Sequence, residues 1–126
     1  MTGEFGKFIE ARRKSLGITL RGLAAELGIA PAFMSDIEKG NRYPPNKEKL
    51  YMMASVLKLS EEDTNKMFDL AAGERENTVS PDLPEYIMSN DKVRAALRLA
   101  RDTENSDAVW QKVIDMLEEN EEKMKS

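Results

Sequence analysis

The chain has 126 residues, the size of one domain or of a small domain with an extension. At 40% hydrophobic and 33% charged it has material for a core, but no run near the ~20 apolar residues of a membrane-spanning helix. Cysteine and histidine are both absent, which excludes disulfides, zinc sites of the usual Cys/His type, cysteine nucleophiles and His-based acid–base catalysis. The net charge of −4 hides an asymmetry: residues 1–59 carry +4 and residues 60–126 carry −8, which argues against a general nucleic-acid coat and leaves room for a local phosphate-binding face in the front half.

Met1-Thr2-Gly3-Glu4 has neither a basic flank nor an apolar run, so secretion is not expected and a cytoplasmic protein is. Helical periodicity then recurs along the chain, while strand alternation hardly appears. The first segment sets Phe5, Phe8, Ile9 and Leu16 on one face and stops at Gly17. Thr19 is placed to cap a second helix, with Leu20, Leu23, Ala24 and Leu27 on its stripe and Gly28 at its end. A third starts at Pro31, carries Met34 and Ile37 inward and stops at Gly40. Asn41 to Pro45 form a loop, since neither proline suits a helix interior. Asn46 caps a fourth segment bearing Leu50, Met53, Ala54 and Leu57. Ser60 with Asp63 resembles a capping box at the start of a fifth, which bears Met67, Phe68 and Ala71 and ends at Gly73.

The polar stretch Glu74 to Asp82 has no periodicity and reads as an exposed linker. Beyond it lie a short turn of helix over Pro84 to Met88 and a segment capped by Asn90 or Asp91, with Val93, Ala96, Leu97 and Ala100 on one stripe. A last helix capped by Ser106 bears Trp110, Val113, Ile114 and Leu117, and Glu118 to Ser126 reads as a frayed charged tail. The expected organisation is a folded unit over 1–73, a linker over 74–82 and a helical extension over 83–126. The methionines, Met34, Met52, Met53, Met67 and Met88 among them, read as core filler, with only one of the adjacent Met52 and Met53 able to face inward.

The informative stretch is Thr19 to Gly40, TLRGLAAELGIAPAFMSDIEKG. Two short helices joined by Gly28-Ile29-Ala30 meet at a steep angle, so that the second protrudes and fits a DNA major groove about 12 Å wide. Such a unit needs a small residue where the helices cross (Ala24), an apolar turn residue (Ile29) and buried Met34 and Ile37. That leaves Ala32, Phe33, Ser35, Asp36 and Lys39 outward.

These residues resemble the Cro/CI-type, or Xre-like, helix-turn-helix regulators over about residues 5–72. The matching positions are Arg13, Leu16-Gly17, Thr19, Leu23-Ala24, Leu27-Gly28, Ile29, Pro31, Ser35, Ile37-Glu38, Gly40 and Leu50. The resemblance implies an all-α, five-helix lambda-repressor-like DNA-binding domain whose third helix is the recognition helix. It implies binding to double-stranded DNA as a homodimer, without metal or cofactor, in a bacterial or phage setting. Arg13 and Glu38 sit where the family holds an ion pair joining helix 1 to the end of the recognition helix.

Ala32, Phe33 and Asp36 match the family's base-facing positions, and here the sequence departs from members that place glutamine there. Ala32 offers only a methyl contact, and Asp36 accepts from cytosine N4 but repels phosphate. Phe33 packs on a sugar or a thymine methyl, or forms a core edge. Leu20, where glutamine often starts helix 2, loses a contact, and Ala30 lacks the hydroxyl that usually caps helix 3. Thr19, Arg21, Pro31, Ser35, Lys39, Asn41, Arg42 and Tyr43 complete the expected DNA-binding set, with Lys47 and Lys49 close in sequence.

The extension has two amphipathic stripes too short to be stable alone. Its stripes are expected to pack on the first domain, on a second copy or on another protein, with Trp110, Val113 and Leu117 as the expected dimer or partner contacts. The leading expectation is a transcriptional repressor that acts on a palindromic operator. The alternative is an antitoxin or immunity-type protein whose C-terminal helices bind a toxin or protease, with autoregulatory DNA binding. Carboxylates are plentiful, but none is identifiable as a catalytic pair and there is no phosphate-cradling loop, so an enzyme is not expected.

Overall fold

The computed structural model describes residues 1–104 and 106–125, which form eight α-helices and no strand. They are α1 (Glu4–Ser15), α2 (Leu20–Leu27), α3 (Pro31–Glu38), α4 (Lys47–Val56), α5 (Glu61–Gly73), α6 (Pro84–Ser89), α7 (Asp91–Asp102) and α8 (Asp107–Lys125). The chain divides into two compact units, Met1–Tyr86 and a second from Ile87 onward.

The first unit closes around the apolar stripes of its first five helices. Phe5, Ile9, Leu23, Ala24, Leu27, Met34, Ile37, Leu50, Met53, Leu57, Met67, Phe68 and Ala71 form one buried cluster, and α2 packs on α3 and α4 while α1 packs on α3 and α5. Met53 takes the core position and leaves its neighbour Met52 exposed. The starts of α2 to α5 have local causes. Thr19 Oγ1 accepts from Gly22 N–H, Asn46 Oδ1 from Lys49 N–H and Ser60 Oγ from Asp63 N–H, while α3 begins at Pro31 with no side-chain cap on Ala30. The turn after α2 needs φ +69° at Gly28, which glycine adopts without steric cost.

Two helix ends are closed by cations reaching from elsewhere. Lys49 Nζ donates to Leu27 O at 2.7 Å at the end of α2, and Arg12 donates to Leu57 O at 3.0 Å and Lys58 O at 2.9 Å at the end of α4. These carbonyls lack intrahelical partners, and the helix dipole favours positive charge there. The approach of α1 to α3 depends on Gly6, where an added Cβ would lie 2.3 Å from Glu38 O and 2.6 Å from Ile37 O.

The segment after α5 departs from the expected exposed linker, and the compact unit does not stop at Gly73. Glu74 and Ser80 are buried. The Glu74 carboxylate accepts from Thr2 N–H at 2.8 Å, Thr2 Oγ1 at 2.7 Å, Gly3 N–H at 3.2 Å and Phe5 N–H at 3.2 Å, so it caps α1 from the far end of the domain. Ser80 Oγ donates to Asp69 Oδ1, and Lys47 Nζ lies 3.2 Å from Glu85 Oε2. A polar stretch without periodicity is thus ordered by buried side-chain hydrogen bonds, which periodicity does not report.

In the second unit, Asn90 Oδ1 caps α7 by accepting from Lys92 and Val93 N–H, and Arg94 donates to Ile87 O at 2.9 Å and Met88 O at 2.7 Å. Among its described residues none is buried. The expected frayed tail is instead helical to Lys125, where Glu119–Lys123 and Glu121–Lys125 pair at i, i+4 spacing. Ser126 lies outside the described residues.

Candidate nucleic-acid interface

The inner face of α3 is fixed first. Met34 and Ile37 are in the core, and Glu38 is buried against Arg13. Arg13 Nε donates to Glu38 Oε2 at 2.7 Å, its NH2 to Glu38 Oε1 at 2.9 Å and its NH1 to Ile18 O at 3.0 Å. A bidentate guanidinium–carboxylate pair has one geometry, so it holds the C-terminal end of α3 against α1 and the turn leading into α2. The hydrogen bonds to Glu38 raise the Arg13 pKa above its ordinary value, outweighing the lowering by burial.

With that face locked, the opposite side of α3 is open. Pro31 and Ala32 are exposed, while Phe33, Ser35 and Asp36 are half-buried. Ala32 and Asp36 are four residues apart and Phe33 and Asp36 three, so the three share one face. Phe33 is both outward and core-edge: its inner part packs against the hydrophobic cluster and its face carries the Arg42 guanidinium, 4.3 Å from the ring centroid. Arg42 NH2 also lies 3.9 Å from Asp36 Oδ2. The helix itself contains no basic residue, so Arg42, from the following loop, brings positive charge to its outer face.

Around this face, Thr19 is exposed with its hydroxyl engaged in capping, and Arg21, Lys39, Asn41 and Tyr43 are exposed. Arg21 and Lys39 form no ion pair among the described residues, so both cations are open to an external anion. Lys49, near this set in sequence, is occupied at the end of α2, and Lys47 is paired with Glu85, whose hydrogen bond and charge raise the Lys47 pKa. Arg75 is a cation that the sequence did not single out. It follows α5, yet its guanidinium stacks 4.0 Å from the Tyr43 ring centroid. No periodicity or motif marks it, because the contact joins residues 32 positions apart.

Trp110, Val113 and Leu117 lie on α8, apart from this face in the sequence and in the other compact unit. Trp110 and Leu117 are exposed at 38% and 61%, and Val113 is half-buried.

A model of the helix-turn-helix family matches residues 9–63. No curated protein matches the chain. Among solved structures, a SinR protein/SinI protein complex is similar at 21% identity, covering 94% of this chain and 98% of that one, with a TM-score of 0.45. No helix among the described residues is long and apolar enough to cross a membrane. The matched segment contains α2, the Gly28 turn and α3 whole, together with the Arg13–Glu38 pair. Over residues 9–63 the chain is similar to the helix-turn-helix family, whose Cro/CI-type, Xre-like members are DNA-binding regulators rather than enzymes.

Proposed function

We propose that the chain is a sequence-specific transcriptional repressor that binds a palindromic operator as a homodimer, with α3 in the major groove. The observation that carries this reading is the two-faced α3: one side locked by Met34, Ile37 and the Arg13–Glu38 pair, the other open and bordered by Arg21, Lys39, Arg42 and Tyr43. A helix fixed this way presents its outer residues without further ordering cost, and Arg21 and Lys39 beside it supply the phosphate attraction that dominates affinity. Thr19, Pro31, Ser35 and Asn41 surround that face, with backbone N–H groups at the start of α2 available to phosphate.

The dimer is assigned to the second unit. Leu97, Trp110, Ile114 and Leu117 leave apolar surface open along α7 and α8, and neither helix buries a residue in the single chain. Short amphipathic helices owe most of their stability to packing of the apolar face. Burial of one large side chain contributes about 1.5–3 kcal/mol, and twofold symmetry counts it twice.

Selection of bound sequences from random duplex DNA tests the reading, together with light scattering on the full chain. A palindrome with half-site centres about 34 Å apart is expected. Lys39→Ala should weaken all sequences equally and reduce the salt slope by about one phosphate contact. Trp110→Glu should convert a dimer to a monomer. Failure to select any duplex at low salt refutes the DNA-binding reading. A wild-type chain that is monomeric without DNA refutes the dimer, and the stripe then serves a different protein, as the antitoxin-type reading requires.

A further inference from the structure

We propose that Asp36 and Arg42 act together as one reading head for a single G·C pair in each half-site, with Phe33 as the platform that aims Arg42. The proposal rests on the DNA-binding reading above and names what that site recognises. An acidic residue on a DNA-facing helix is unfavourable alone, because it repels phosphate. Here the Arg42 guanidinium lies 3.9 Å from the Asp36 carboxylate and offsets its charge. Arg42 is held from a second direction by the Phe33 ring, 4.3 Å from its centroid. Both charged side chains remain about half exposed, at 49% and 45%. None of the N–H donors of Arg42 makes a hydrogen bond among the described residues, so they are free for a ligand while the plane is fixed.

The resulting surface is a fan of donors beside a carboxylate acceptor. The major-groove edge of a G·C pair is its complement: guanine shows acceptors at N7 and O6, and cytosine shows a donor at N4. Guanine O6 and cytosine N4 are themselves hydrogen-bonded, so they lie about 3 Å apart. The Arg42 donor and Asp36 acceptor, 3.9 Å apart, come within about 1 Å of that spacing in reverse polarity. An A·T pair presents adenine N6–H and thymine O4 at corresponding positions, which sets donor against donor in the orientation that suits guanine. Arginine suits this role better than lysine, because its planar guanidinium stacks on Phe33 and offers N7 and O6 two N–H groups in a fixed fork.

The test is duplex selection with the full chain, followed by titration of the selected duplex and its single base-pair variants against wild type, Arg42→Lys and Asp36→Ala. Both substituted side chains are partly exposed, and unchanged unfolding midpoints confirm that the variants fold. One strongly preferred G·C pair per half-site is expected. Arg42→Lys should lower discrimination at that pair alone by about 5- to 150-fold. Asp36→Ala should relax the same pair. Placing 7-deazaguanine there, which lacks the N7 acceptor, should weaken wild type and leave Arg42→Lys little changed. The proposal is overturned if the half-site shows no G·C preference, if the two variants relax different positions, or if Arg42→Lys lowers affinity equally for every sequence. If no duplex is selected, the DNA-binding reading has failed and this one falls with it; a palindrome without a coupled G·C pair refutes the reading head alone.

Discussion

Replacing Arg13 with alanine tests the contact that orients the recognition helix. The substitution removes both hydrogen bonds to Glu38 and the one to Ile18 O, and leaves a carboxylate whose side chain is 3% exposed without its cation. Removing one partner of a buried pair costs about 3–5 kcal/mol, most of it the penalty of the charge left behind. An independent route gives a similar figure, since two hydrogen bonds between charged groups at about 1.5–3 kcal/mol each amount to roughly 3–6 kcal/mol. Loss of the Ile18 contact adds little, because that residue is half-exposed and water replaces the donor. Against a total stability of about 5–15 kcal/mol this is a large fraction. For a domain of this size it corresponds to a fall of tens of degrees in Tm, at about 4–8 °C per kcal/mol.

Urea titration of wild type, Arg13→Ala, Glu38→Ala and the double variant closes a mutant cycle, with m unchanged if the denatured state is unaffected. A coupling of several kcal/mol is expected. The replacement Arg13→Met with Glu38→Leu should restore most of the loss, because packed apolar residues remove the unpaired charge. A coupling below about 1 kcal/mol, the value of an exposed pair, refutes the reasoning.

Two further predictions concern how α1 is held. Burial opposes ionisation of Glu74, but hydrogen bonds from Thr2, Phe5 and Gly3 outweigh it and hold its pKa below the free value of 4.5. Its contribution is therefore fully present above that value and lost as pH falls through the lower folded one. Glu74→Gln should cost about 1–3 kcal/mol near neutrality, and the gap to wild type should narrow in denaturant titrations in acid; a gap independent of pH refutes the carboxylate cap. Gly6→Ala places a methyl 2.3 Å from Glu38 O, a backbone atom that cannot rotate away. Overpacking there should destabilise by at least about 1–3 kcal/mol in thermal unfolding, and a neutral result would mean that α1 shifts freely on α3.

Much of the first unit was legible in the sequence because its determinants are local. Thr19, Asn46 and Ser60 cap the helices they precede, Gly28 makes the turn, and the 3.6-residue stripes name the buried residues. The outward residues of α3 followed from the same periodicity once Met34 and Ile37 were assigned inward. The Arg13–Glu38 contact is not local, and it was anticipated only through the family resemblance.

Tertiary structure decided what depends on distant groups meeting. No local signal shows that Glu74 caps α1, that Lys49 and Arg12 close the ends of α2 and α4, or that Gly6 is needed where α3 carbonyls approach. Nor does one show that Arg42 turns back over Phe33 toward Asp36, or that Arg75 meets Tyr43. The physical reason is common to all of them. Periodicity records which side of a helix avoids water, and capping records its nearest orphan donors. The partner of a charge or a carbonyl is set by chain folding across tens of residues, and on this protein those partners shape the outer face of α3.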